Sequence, residues 1–183
     1  MLKKIAVISL VVGMFYGCVG VDPAGRGYTV DVPLSMVNST LAEKFPLNER
    51  VSYGMVSGTL NISKPNVLGR AGSDKLGVGT SFKFTNMLIP KGITGTIDLA
   101  SGLRYDANSK NLYLANPAVN EIKFQDFTLS KYMTKGMQNA IGMVVAETIA
   151  KKPVYNLQKA GIGANFVKGI DIKDGQIKLL LGL

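Results

Sequence analysis

The single cysteine, Cys18, and the complete absence of histidine decide which side-chain chemistries are open to this chain. Without histidine, neither a Ser-His-Asp nor a Cys-His arrangement can be assembled. One thiol makes no disulfide framework, and zinc sites draw on several Cys or His ligands. Ser-Lys or paired-carboxylate chemistry stays open on composition, but Glu43, Glu49, Glu121 and Glu147 stand isolated in the sequence. Gly77-Val78-Gly79-Thr80-Ser81 has glycines spaced as in some nucleotide loops. No helix start follows it, and neither a third glycine nor a phosphate-binding lysine is in place. The residue types therefore point to no enzyme, no metal and no cofactor, and leave Cys18 as the one position with a defined chemistry.

The residues before Cys18 say what that chemistry is. Lys3 and Lys4 form a positive start, Ile5 to Val12 an apolar run, and Gly17 a small residue before the cysteine, which is the organisation of a secretory signal peptide. The run is shorter than the roughly 20 residues a transmembrane helix needs. Asp22-Pro23-Ala24-Gly25 would break any buried helix that tried to continue. Phe15-Tyr16-Gly17-Cys18 resembles the lipobox of bacterial lipoproteins, with Phe15 and Tyr16 in place of the usual leucine and small residue. The resemblance implies that residues 1–17 are removed, that the Cys18 thiol carries diacylglycerol and its amine an acyl chain, and that Val19 directs the protein to the outer membrane, facing the periplasm. Residues 18–27 are then a lipidated tether, since the stretch from Val19 to Gly27 spans at most about 30 Å.

The elements of residues 28–183, expected as one domain, follow from periodicity. Tyr28 to Val32 reads as a strand, and Leu34, Val37, Leu41 and Phe45 share one face of a short helix between Pro33 and Pro46. From Val51 to Leu129 the period is two, as in Leu76, Val78, Thr80, Phe82 and Phe84, which predicts an antiparallel meander. Glycines inside these strands, Gly58 and Gly95 among them, predict curvature or close backbone approach. Met133, Met137, Ala140, Ile141, Val144, Val145 and Thr148 fall within about 120° of a helical projection. That pattern predicts a long helix from Ser130 to about Lys151, with Pro153 stopping it. Ile170 and Ile172, then Asp174-Gly175 and a return through Leu180, read as a closing hairpin. The expected fold class is α+β: a curved antiparallel sheet wrapped around a long C-terminal helix, with a short N-terminal helix.

The formal charge is +9 and becomes +7 once Lys3 and Lys4 leave with the leader. The remaining cations are scattered, which favours a solvated basic surface over a nucleic-acid stripe. An exported protein also meets little nucleic acid.

Tyr28-Thr29-Val30, the short helix, Lys152-Pro153-Val154-Tyr155 and the terminal Gly169-Ile170-Asp171-Ile172-Lys173-Asp174-Gly175-Gln176-Ile177 together resemble the YceB-like bacterial lipoproteins. The resemblance implies a curved sheet about a helix, similar to one half of the tubular lipid-binding (BPI-like) folds, and supplies no catalytic residues. Two functions are consistent with this. One is a lipid or other apolar ligand held between sheet and helix, in a cavity lined by Phe82, Phe84, Leu99, Met133, Met137 and Ile141; the same residues could instead fill a closed core. The other is an envelope adaptor that binds a protein or polyanion through its basic face.

Overall fold

The computed structural model describes residues 19–21, 25, 27–53, 56–125, 133–159, 161 and 163–182. The leader and Cys18 lie outside them. Among the described residues, ten strands and two helices follow in order: β1 (Val19–Val21), β2 (Tyr28–Val32), α1 (Leu34–Lys44), β3 (Leu47–Tyr53), β4 (Val56–Gly69), β5 (Leu76–Thr85), β6 (Ile93–Asp106), β7 (Asn111–Phe124), α2 (Lys135–Ala150), β8 (Pro153–Asn156), β9 (Val167–Lys173) and β10 (Gln176–Leu181). A single 3-10 turn, Ala164–Phe166, precedes β9.

Strict alternation shapes the main sheet. In β5 the side chains of Leu76, Val78, Thr80, Phe82 and Phe84 are buried, and in β6 those of Ile93, Ile97 and Leu99 are. Side chains of alternate residues point to opposite faces, so each strand offers one apolar face. Strands β3 to β8 pair in chain order, all antiparallel. A second sheet, ordered β1-β2-β10-β9, joins the start of the described chain to its end. Val19–Val21, inside the stretch read as a tether, is thus a strand paired with β2.

The contacts of the helices show that the large sheet is curled. Helix α1 packs on β4 and on β8, and α2 packs on β7 as well as on β3 and β4. In a flat sheet with strands about 4.8 Å apart, β4 and β8 would lie about 19 Å from each other. Helix α1, with 11 residues and about 16 Å long, is shorter than that span even if laid across the strands. The six strands therefore curl into a half-barrel, with α2 seated across its mouth. Asn38 holds α1 in place by donating to the Val67 carbonyl (3.0 Å) and accepting from the Val67 amide (2.7 Å).

Glycine permits aromatic rings to pack closely on the sheet, as at Gly95. A Cβ at Gly95 would collide with the Phe82 ring and the Lys123 carbonyl. The bare backbone lets the ring lie flat across the strand, where it meets Phe124 edge-on at 5.8 Å. The two sheets meet through their turns. Gly175 donates its amide to the Ser73 carbonyl (3.1 Å), and the Gly72 amide donates to the Asp174 carboxylate (3.2 Å).

These findings correct the expected class. The described residues are mostly strand, so the fold is a mainly-β half-barrel with two helices, not an α+β fold built around a long C-terminal helix. Helix α2 has 16 residues, about 24 Å, and does not reach back to Ser130. Thr134 is extended and caps the helix, its hydroxyl accepting from the Met137 amide at 3.2 Å. Met133 therefore lies outside the helix and packs as a loop residue. The helix is also not C-terminal, because β8, β9 and β10 follow it. Apolar residues continuing on both sides of a cap look like one stripe in sequence; the extended backbone at Thr134 divides them.

Candidate functional site

The six residues expected to line a cavity are brought together by the structure. Phe82, Phe84, Leu99, Met133 and Ile141 are buried in one core, and Met137 packs against it half-buried. They fill the space between sheet and α2, and the surface grooves described below are lined by other residues. Cys18 lies outside the described residues.

The open space lies along the seam between α2 and β7. Strand β8 pairs only with Asn111 to Tyr113, so among the described residues β7 has no strand partner on that side beyond Tyr113. Two register shifts against β6 interrupt this free stretch. Pro117, which has no amide proton to offer a ladder, lies in one of them, beside Asn116 at φ 49°. Inside the same bulge the buried Ser101 hydroxyl donates to the Ala115 carbonyl at 3.0 Å. Past it the in–out alternation stops, and Ala118, Val119, Asn120 and Glu121 are all exposed.

Facing this edge, α2 presents small residues. Gly142, Ala146 and Ala150 recur every four positions, one above another on a helix face. Gly142 lets the helix backbone come close to Val119, and the small side chains leave the space beside that contact unfilled. The result is an open groove of about 680 Å³ whose apolar wall includes Val119, Ile122, Gly142, Met143 and Ala146. Val119 is 38% exposed and Met143 41%, values at odds with the nearly complete burial of Ile141, Val144 and Val145 on the neighbouring face. Asn120, Glu121, Gln138, Asn139 and Glu147 form a polar rim. An apolar floor with a few polar groups at its edge is the usual composition of a site for a small apolar ligand.

The other seam of α2, toward β3, is narrower at about 280 Å³ and charged, lined by Glu49, Glu147, Lys151 and Lys152 among others. Lys152 bridges it to Glu49 at 2.7 Å. Near α1, the Lys44 ammonium donates to the Pro153 carbonyl at 2.8 Å, and burial pushes its pKa down. Burial also raises the Tyr155 phenol, whose hydroxyl contacts the Met36 sulfur at 3.2 Å. These contacts fasten α1 to β8 and assemble no nucleophile with a base. Among the described residues no group of three or more acidic, Cys or His side chains could hold a metal ion, and no helix is long and apolar enough to cross a membrane.

The sequence reading missed the groove. Its signals were present in the four-residue recurrence of Gly142, Ala146 and Ala150 and in Pro117 within an otherwise apolar strand, but neither says which two elements will face each other.

Fold and site together define a class: a curled antiparallel half-barrel with a helix across its mouth and an apolar groove along one seam. Within that class, the chain belongs to a family of proteins of unknown function (DUF1439), whose model matches residues 35–176. No curated protein matches the sequence. Among solved structures it is similar to a lipopolysaccharide binding protein at 12% identity and a TM-score of 0.24, over 81% of this chain and 45% of that one. The chain thus spans less than half the length of that structure.

Proposed function

We propose that this chain is an exported, lipid-anchored protein of the bacterial envelope that holds the acyl part of a lipid in the groove between β7 and α2. The groove is the observation that carries the reading. Its volume of about 680 Å³ falls within the roughly 300–1,000 Å³ of sites that hold small molecules. Binding without turnover fits a site whose rim has carboxylates and amides but no nucleophile paired with a base. Anchorage rests on the leader and on the Gly17-Cys18 junction, which resembles the lipobox of bacterial lipoproteins, and Val19 favours the outer membrane. Acylation supplies a firm hold, since each buried methylene contributes about 0.8 kcal/mol.

The test is to extract the protein in mild detergent and measure lipid by mass spectrometry, then to repeat this with Val119→Asp and Met143→Glu. Both positions are partly exposed, so a charge there changes the groove more than the core. The expected result is stoichiometric lipid on the parent chain and at least tenfold less on either variant. A lipid-free parent that instead brings down a reproducible protein partner would overturn the reading in favour of an envelope adaptor.

A further inference from the structure

The hairpin loop between β5 and β6 carries the two most exposed large apolar side chains of the described residues, Met87 at 98% and Leu88 at 86%. The loop is held in this form by hydrogen bonds. The Asn86 side-chain oxygen accepts from the amides of Leu88 (3.0 Å) and Ile89 (2.9 Å). The Asn86 and Ile89 backbones also bond to each other, and the Gly92 amide donates to the Ile89 carbonyl at 3.0 Å. With the backbone amides engaged inward, Met87 and Leu88 are left at the tip, where water meets them on nearly every side. Scattered exposed apolar residues are ordinary on protein surfaces. Here two adjacent ones are presented together by a hydrogen-bonded tip, and cations border them.

Lys91 lies in the loop, and Lys83 on β5 runs beneath it, its chain close enough to collide with a Cβ at Gly92. Arg50 stands in the cross-strand row Arg50–Thr59–Thr85 and lines the cleft beside Met87 and Leu88. No residue lining that cleft is acidic. None of these three cations takes part in an ion pair among the described residues. An apolar tip above a basic shoulder fits the interface of an anionic bilayer, where apolar side chains enter the acyl boundary and cations meet phosphate headgroups.

We propose that the β5–β6 loop is a membrane-contact tip, in which Met87 and Leu88 insert into an anionic phospholipid surface and Arg50, Lys83 and Lys91 bind its headgroups. This goes beyond ligand binding in the groove and stands or falls separately, because the loop shares no residue with the groove wall. The chain has no tryptophan, so Leu88→Trp in the full chain makes a single fluorescent reporter. Asn108→Trp, in the turn at the far end of β6, serves as the control. Vesicles of phosphatidylcholine with and without phosphatidylglycerol, prepared with brominated acyl chains, report contact with the hydrocarbon. The expected result is a shift of Leu88→Trp emission to shorter wavelength with quenching in anionic vesicles, little change for Asn108→Trp, and severalfold less quenching when R50Q, K83Q and K91Q are combined. Unquenched Leu88→Trp in anionic vesicles would overturn the proposal. So would an emission shift without vesicles that grows with protein concentration, which would mean that a second copy covers the loop.

Discussion

The two seams of α2 differ more than their common helix suggests. Toward β3 the seam is narrow and charged and is crossed by the Lys152–Glu49 bridge. Toward β7 it is wide and apolar and is walled by Gly142, Met143 and Ala146. Both strands border the mouth of the half-barrel, so curvature alone does not explain the difference. Side-chain size and strand regularity do. Strand β3 pairs with β4 without a register shift, whereas β7 carries two bulges and a proline where it leaves β8 behind. A regular strand can meet a helix evenly along its length, whereas bulges in β7 turn Ala118 to Glu121 out of the in–out alternation. Small residues on the helix then leave the gap open.

Mutations can break this comparison at either seam or beneath both. The largest effect is expected below them, in the core shared by the two sides. Leu99 is fully buried, so Leu99→Ala should cost about 2–5 kcal/mol in urea unfolding, the transfer loss plus a residual cavity. A much smaller loss would mean that the sheet and helix are less tightly packed than the seams imply. Next comes the wide seam, where Val119→Asp should reduce bound lipid at least tenfold while changing stability by no more than about 0.5 kcal/mol. Loss of stability and of lipid together would mean that the seam is core and not site.

At the narrow seam, Glu49→Gln should cost less than about 1 kcal/mol, because both partners are more than a third exposed and solvent screens the pair. Lipid content should not change, which separates the two sides of the helix. The smallest effect is expected in the β6–β7 turn, far from either seam. The Asn108 amide and the Ser109 hydroxyl donate to Asp106 at 2.9 Å each and hold its carboxyl below the usual carboxylate range. With the folded pKa below the unfolded one, this stabilisation is present above the unfolded value and is lost as pH falls through the folded value. Asp106→Asn should therefore lower Tm slightly at neutral pH, and the gap to the parent should close in acid.

Several elements were legible because their signals are local. The alternation of Leu76 to Phe84, the stripe of Val37 and Leu41, and the turn at Asp174-Gly175 each follow from side-chain periodicity or turn preference within a few residues. The glycine reading also carried through at Gly95, where a ring lies over bare backbone. The end of α2 near Pro153 was legible, but its start was not, since Met133 continues the apolar stripe across the cap at Thr134. The expected site residues were read correctly as neighbours, yet apolar residues that converge leave a cavity only if their volumes fail to fill the space. That depends on partners distant in sequence.

By itself, then, the sequence determined the apolar faces of β5 and β6, the short first helix, the closing hairpin and the chemistries that a chain with one cysteine and no histidine lacks. Only the tertiary structure decided that β1, β2, β9 and β10 form a separate sheet, that α2 bridges the mouth of the other, and that the open space runs along β7 and not through the core. The physical reason is range. Periodicity says which face of an element is apolar, but whether that face meets a large side chain, a small one or a bulge is settled by pairing between residues such as Gly142 and Val119, which only folding brings together.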